Sequence, residues 1–253
     1  MNCRKTNTKT HEWKHPQKFL KNFSGFLHTD DYEGCHNLHD GVTVVGCWAH
    51  ARREFENIWK IIPEEKRKGS DADTGLRYIN ALFKLEREFT KANLTSVQRF
   101  TARLEKSKPV SDAFFAWAEN LGALPKSPLG KATGYALNQR KYLENVFIDG
   151  NLELSNNRCE RSVKPFVMGR KAWLFANTPA GAEASSVMYS IIETAKENGL
   201  HPFLYMKFLL EILPSMNTGD NIDALLPWSD SLPDWCRSPS KIQPHVIGHS
   251  LLV

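Results

Sequence analysis

The sequence predicts an α/β protein in which a long all-helical segment interrupts a mixed core. Two short runs, at residues 25–30 and 42–47, are typical of strands, and the second is rich in β-branched residues. Apolar residues then recur at helical spacing from residue 48 to about 147, with no strand pattern among them. Mixed structure returns from residue 148 to 214, followed by a loop-rich tail.

The composition indicates which classes of protein this sequence can belong to. Hydrophobic residues make up 41% of the 253 residues, enough for one large or two small cores. The net charge of +5 permits a nucleic-acid partner without requiring one. Five irregularly spaced cysteines argue against a disulfide framework. No apolar run is long enough to span a membrane and no signal-peptide core is evident, so we expect a cytoplasmic protein without membrane contacts.

The first sixty residues contain the predicted strands. Residues 1–14 are polar and basic and are predicted to be a disordered leader. A short amphipathic segment is predicted to begin at His15-Pro16, and proline is well tolerated at a helix start. The strand at 25–30 ends in acids, and the strand at 42–47 runs directly into a helix. The apolar positions of that helix are Trp48, Ala51, Phe55 and Ile58.

The rest of the chain is mainly helical. Residues 66–71 predict a solvated loop, and residues 60–147 as a whole predict a helical insertion. A helix is predicted from Asn157 to about Met168, with Pro165 bending or ending it. Residues 171–176 predict a strand or an extended arm. Two further helices and the tail follow at 182–199, 202–214 and 215–253.

Asp30 is the first candidate for chemistry. A carboxylate at the end of a short strand is well placed to hold a divalent cation, since strand ends present side chains to a cleft. The alternative is that Asp30-Asp31 simply begins a turn, which aspartate favours.

Glu160 is the second candidate, a carboxylate placed between two arginines. The segment around it is basic and interleaved with aromatic residues such as Phe166, a pattern that suits a phosphate backbone with bases nearby. The alternative is a capping box formed by Asn157 and Glu160, with the basic residues as a solvated face. The candidate DNA-binding residues are Arg158, Arg161, Lys164, Arg170 and Lys171.

A zinc site is a further alternative. Cys47-x-x-His50 has ligand-like spacing, and Cys35, His36 and His39 lie nearby in the sequence. The spacing matches no zinc finger, however, and Cys47 ends a predicted buried strand, where cysteine packs as a small hydrophobic residue.

Several long motifs in this sequence resemble the catalytic domain of insertion-sequence-66 transposases. The similarity runs from about residue 15 to about residue 237. The matching segments are His15-Pro16-x-x-Phe19-Leu20-Lys21-x-Phe23, Leu27-His28-Thr29-Asp30-x-Tyr32-x-Gly34, Val45 to Arg53, Asn156-Asn157-x-x-Glu160-Arg161, Gly169-Arg170-Lys171-x-Trp173-Leu174-Phe175, Gly181 to Ala184, Ser190 to Leu200, and Leu225 to Trp228.

The resemblance implies a ribonuclease-H-like fold whose Asp-Asp-Glu triad holds two magnesium ions for DNA strand cleavage and transfer. Asp30 corresponds to the second acid and Glu160 to the third. The catalytic core would then comprise residues 15–59 and 148–214, with the helical insertion at 60–147 between them. The implied partners are transposon DNA ends and a multimer of this chain or an intact transposase.

The sequence also departs from the family pattern. The 14 residues before His15 contain no aspartate that could serve as the first acid. Asp31 replaces a usual glycine, and Cys35 replaces a usual tyrosine. We therefore expect a truncated transposase that is inactive alone. The alternatives are a non-catalytic DNA-binding remnant, which could interfere with an intact transposase, and a pseudogene product without function.

Overall fold

A computed structural model describes residues 17, 19–31, 33–35, 38–173 and 178–238. The chain forms two compact units, Met1–Asn157 and Arg158–Val253, and each is described by itself. The predicted leader at 1–14, the helix start at His15-Pro16 and the end of the tail lie outside the described residues.

The sheet of the first unit has two parallel strands, β1 (Gly25–Thr29) and β2 (Val42–Gly46). Gly25 pairs with Val42 and Thr29 with Gly46, so the two strands end at the same edge. Both strands were predicted from their apolar and β-branched residues, and both predictions are confirmed. The carboxyl edge of the sheet is therefore formed by the residues directly after Thr29 and Gly46.

Helices account for most of the remaining first unit, in agreement with the predicted helical segment. A π-helical turn at Arg103–Ser107 lies between two of them. Lys66 and Arg67 lie in a short helix and Asp71 begins the next one, so the prediction of a loop over 66–71 is wrong at both ends. The helices are α1 (Trp48–Ile61), α2 (Glu64–Arg67), α3 (Asp71–Lys91), α4 (Ser96–Ala102), α5 (Lys108–Asn120), α6 (Pro128–Asn138) and α7 (Arg140–Leu143).

One hydrophobic core serves both the sheet and the helices of the first unit. Trp48 at the start of α1 is buried, with its ring centroid 5.7 Å from those of Phe114 and Phe115 on α5. Its indole Nε1 donates a hydrogen bond to the carbonyl of Leu143, 3.1 Å away. The segment predicted as an insertion thus packs directly against α1. The domain boundary at residue 59 stays a prediction.

Arg103 forms a fully buried clamp in this unit. Its Nε and Nη2 donate to the carboxylate of Glu86 on α3 at 2.6 and 2.9 Å. Its remaining donors reach the carbonyls of Val146, Asp149 and Leu152, at 3.2, 3.0 and 2.6 Å. Guanidinium has five N–H donors, and this arrangement uses its full capacity. The clamp fixes residues 146–152, which lead out of the helices.

The described part of the second unit contains the α-helices α8 (Asn157–Trp173), α9 (Pro179–Glu197) and α10 (Pro202–Ile212). Pro165 lies inside α8, so the helix does not end there, and the alternative that Pro165 bends the helix stays a prediction. The predicted strand or arm at 171–176 is also wrong for 171–173, which are helical, and its remainder lies outside the described residues. Gly199 ends α9 with a φ of 73°, as predicted.

The second unit has a small hydrophobic core to which residues of the predicted tail contribute. Leu232 and Cys236 are buried together with Tyr205 of α10, whose hydroxyl donates to the carbonyl of Leu225 at 2.7 Å. Leu200 pairs with Arg237 in an isolated β-bridge. The tail therefore contributes to the fold at least as far as residue 237. Within the part of the chain that the structure describes, every helix is too short or too polar to cross a membrane.

Candidate functional site

Asp30 lies directly after β1, at the carboxyl edge of the sheet, as the sequence predicts. Its side chain is exposed. Among the residues described by the structure, its carboxylate has no hydrogen-bond or ion-pair partner. A hard divalent cation prefers oxygen ligands of this kind, so the chemistry of Asp30 fits a role as a metal ligand.

Asp31 is held very differently from its neighbour. It has a φ of 78°, in the left-handed region that favours glycine. Its backbone N–H donates to Thr29 Oγ1 at 3.1 Å, and its Oδ1 accepts a hydrogen bond from Nε2 of Gln139. Gln139, directly after α6, is only 6% exposed. The side chain of Asp31 is therefore directed to the helical part of the unit.

Tyr135 on α6 lies one helical turn before Gln139. Burial, followed by the negative charge of Asp31, raises the pKa of the Tyr135 phenol above its ordinary value. Sequence reasoning missed both Tyr135 and Gln139 as members of this site. The available signal was their i, i+4 spacing, which places two polar groups on one helix face.

His28 lies on β1, two residues before Asp30. Both of its ring nitrogens are buried, and neither has a hydrogen-bond partner among the described residues. Burial lowers the pKa of His28 to about 4. The imidazole is thus neutral at pH 7 and places no positive charge beside the acids.

The segment that precedes α8 is attached to the carboxyl end of β2. The backbone N–H of Trp48, two residues beyond β2, donates to the carbonyl of Leu154 at 2.9 Å. Nδ2 of Asn145 donates to the carbonyl of Val44 at 2.7 Å. Asn156 is buried, and its Oδ1 has no hydrogen-bond partner among the described residues. The chain is therefore fixed to the sheet shortly before α8 begins.

Glu160 lies in the first turn of α8, in the second unit, whereas Asp30 lies in the first. Because α8 begins at Asn157, Asn156 occupies the position before the helix. This placement does not support the alternative in which Asn157 forms a capping box with Glu160.

Arg158 is engaged within the second unit. Its Nε lies 2.5 Å from Oε2 of Glu197, and the hydroxyl of Ser162 donates to Oε1 of the same glutamate at 3.1 Å. Arg161 and Lys164 are exposed on α8. The side chains of the other two predicted DNA-binding residues, Arg170 and Lys171, lie outside the described residues.

No group of three or more His, Cys, Asp or Glu side chains that could hold a metal ion occurs among the described residues. Of the zinc candidates, Cys35 and Cys47 are buried, and His36 lies outside the description.

Comparison with protein families gives two matches along the chain. Residues 6–184 match the model described as "Transposase IS66 family", and residues 190–228 match the "IS66 C-terminal element". The two matches together include both candidate acids, all five candidate DNA-binding residues and α10.

Similar proteins occur in Sinorhizobium fredii. The uncharacterized protein y4qI is 30% identical over 223 residues, which cover 84% of this chain and 40% of y4qI. The uncharacterized protein y4hP is 29% identical over 240 residues, covering 89% of this chain and 42% of y4hP. The chain thus spans about two fifths of the length of these curated relatives. No solved structure matches it.

Proposed function

We propose that this chain, which belongs to the IS66 transposase family, derives from an enzyme that uses metal ions to cleave DNA and transfer its strands. The family match over residues 6–184 carries this proposal. The proposed fold of the catalytic part is ribonuclease-H-like, and the parallel pair β1–β2 with an acid directly after β1 agrees with it. The proposed substrate is DNA, at the ends of a transposable element, bound by a multimer.

Asp30 and Glu160 are the proposed magnesium ligands. Asp30 suits this role because its carboxylate is exposed and not engaged by described neighbours. Asp31 is not among the proposed ligands; its Oδ1 accepts a hydrogen bond from Gln139. When bound, the metal would activate water or a DNA 3′-hydroxyl for attack on a phosphodiester.

The anchoring of the segment before α8 supports a role for Glu160. The backbone N–H of Trp48, at the start of α1, donates to the carbonyl of Leu154, which lies six positions before Glu160. The clamp of Arg103 holds the preceding residues through the carbonyls of Val146, Asp149 and Leu152. These contacts fix the point from which the chain enters the helix that bears Glu160.

These 253 residues alone are proposed to lack strand-transfer activity, because only two of the triad's three acids are identified in them. DNA binding is proposed to persist through Arg161 and Lys164, with Arg170 and Lys171 beyond them. Arg158 is assigned a supporting role, since its ion pair with Glu197 holds α8 to α9.

The test is a titration of the purified chain with Mn²⁺, a spectroscopic substitute for Mg²⁺, followed by electron paramagnetic resonance. Asp30→Asn/Glu160→Gln is compared with the charge-matched control Asp40→Asn/Glu183→Gln, whose residues are both exposed. We expect the first variant to lose Mn²⁺ affinity at least tenfold and the control to remain within twofold of the native chain. Equal affinities in both variants would refute the metal site. Salt-sensitive DNA binding in that case would support the non-catalytic remnant instead.

A strand-transfer assay tests the proposed inactivity directly. Magnesium-dependent joining of labelled transposon ends by the purified chain would overturn it.

A further inference from the structure

One face of α3 carries a line of basic and amide side chains, with the acids Asp73 and Glu88 beside it. Arg77, Asn80, Lys84, Arg87 and Lys91 follow the spacing i, i+3, i+7, i+10, i+14, which places them along one line of the helix. All five are exposed. We refer to Arg77, Lys84, Arg87 and Lys91 as the basic face.

The acids near the basic face leave it with a net positive charge. Asp73 Oδ2 forms an ion pair with Arg77 Nε at 3.6 Å, and Glu88 Oε1 lies 4.0 Å from Lys84 Nζ. Both pairs are exposed i, i+4 contacts, which water and salt screen strongly. Arg87 has no ion pair with any described residue, and the same holds for Lys91.

Glu86 does not neutralise this face, because it is directed to the interior. Its carboxylate accepts two hydrogen bonds from the buried Arg103. The positive charge is also concentrated in this part of the chain. Residues 60–147 contain 16 Lys and Arg against 10 Asp and Glu, whereas the whole chain has a net charge of +5.

The chemistry of the basic face favours a phosphate backbone over a protein partner. Interfaces between proteins are depleted in lysine and enriched in aromatic residues, and this line has two lysines and no aromatic side chain. With a rise of about 1.5 Å per residue, Lys84 and Lys91 are separated by about 10 Å along a straight axis. Duplex DNA carries about one negative charge per 1.7 Å of its axis, so several phosphates lie within that span.

We propose that the basic face of α3 is a second DNA-binding surface, which contacts the phosphate backbone of duplex DNA independently of its sequence. This inference rests on the proposed function, since it assumes that the chain acts on DNA. It adds to α8 a surface in the first unit that no motif of the sequence indicated.

The experiment compares two triple variants of the full chain by fluorescence anisotropy with a labelled 30-base-pair duplex. Lys84→Gln/Arg87→Gln/Lys91→Gln removes three charges from the basic face. Lys106→Gln/Lys126→Gln/Lys131→Gln removes three charges from exposed positions elsewhere in the same unit. The association constant is measured between 50 and 200 mM NaCl, and circular dichroism melting confirms that both variants are folded.

Each phosphate contact contributes about 0.9 to the slope of log K against log salt concentration. We expect the basic-face variant to lose about 2 to 3 from this slope and at least tenfold in affinity at 50 mM salt. The control is expected to change its slope by less than 1. Equal slopes in the two variants would overturn the inference while leaving DNA binding by α8 intact. Native chain that fails to bind the duplex at 50 mM salt would overturn both proposals. Tighter binding of polyglutamate than of the duplex would assign the basic face to an acidic protein and overturn the inference alone.

Discussion

Replacing Arg103 by methionine tests the energetic role of the buried clamp. The change removes two charge-assisted hydrogen bonds to Glu86 and three bonds to backbone carbonyls. It also leaves Glu86, whose side chain is 15% exposed, without its principal counter-charge. Removing one partner of a buried ion pair costs about 3–5 kcal/mol. Since a domain is stable by only about 5–15 kcal/mol, we expect the free energy of unfolding to fall by a large fraction.

Urea denaturation followed by tryptophan fluorescence measures this loss, because Trp48 and Trp117 report on the core of the first unit. Arg87→Met, an exposed arginine on α3, is the control and should change stability by at most about 0.5 kcal/mol. Arg103→Lys keeps the charge but not the forked donors, so its loss should be intermediate. In the double variant Arg103→Met/Glu86→Leu, the loss should be smaller than the sum of the two single losses by at least about 1 kcal/mol. A loss below about 1 kcal/mol for Arg103→Met would refute the clamp.

Two further predictions concern the residues around Asp30. Asp31→Ala loses the hydrogen bond to Gln139 and keeps the unfavourable φ of 78°, whereas Asp31→Gly loses the same bond but relieves the backbone. The glycine variant should therefore be more stable than the alanine variant by about 1 kcal/mol in thermal unfolding, and identical melting temperatures would contradict this account. For His28, the pKa of about 4 in the folded chain lies below its ordinary value of 6.5, so the unfolded chain binds more protons between these pH values. The free energy of unfolding should therefore fall as the pH decreases from about 6.5 to 4, by up to about 3 kcal/mol. His28→Gln should flatten this pH dependence, whereas the exposed control His39→Gln should not. Equal pH profiles of stability in the two variants would show that His28 is not its source.

Local patterns in the sequence were sufficient to predict the elements around Asp30. The strands β1 and β2, the helix α1 and the position of Asp30 at a strand end follow from periods of two and 3.6 residues. The course of α8 was less predictable. Pro165 predicts that this helix bends or ends, but the helix continues to Trp173.

The environment of Asp30 depends on residues that are distant in the sequence. Gln139, which binds Asp31, is 108 positions away, and Trp48 reaches Leu143 across 95 positions. The buried Arg103 resembles any other helical arginine in the sequence. Its partners become recognisable only when residues 146–152 pass beside it. Periodicity contains no information on such pairings, because it describes neighbours along one element only.

The shared core of the sheet and helices also determines when the chain can fold during its synthesis. Trp48 packs on Phe114 and Phe115 and is hydrogen-bonded to Leu143 and Leu154, all of which leave the ribosome long after it. At about 5–20 residues per second, translation of roughly 100 residues takes about 5–20 s. A two-stranded sheet is only marginally stable without further packing. During this interval the nascent chain therefore exposes Trp48 and Phe55 to solvent, and chaperones that bind apolar segments have their main opportunity to act.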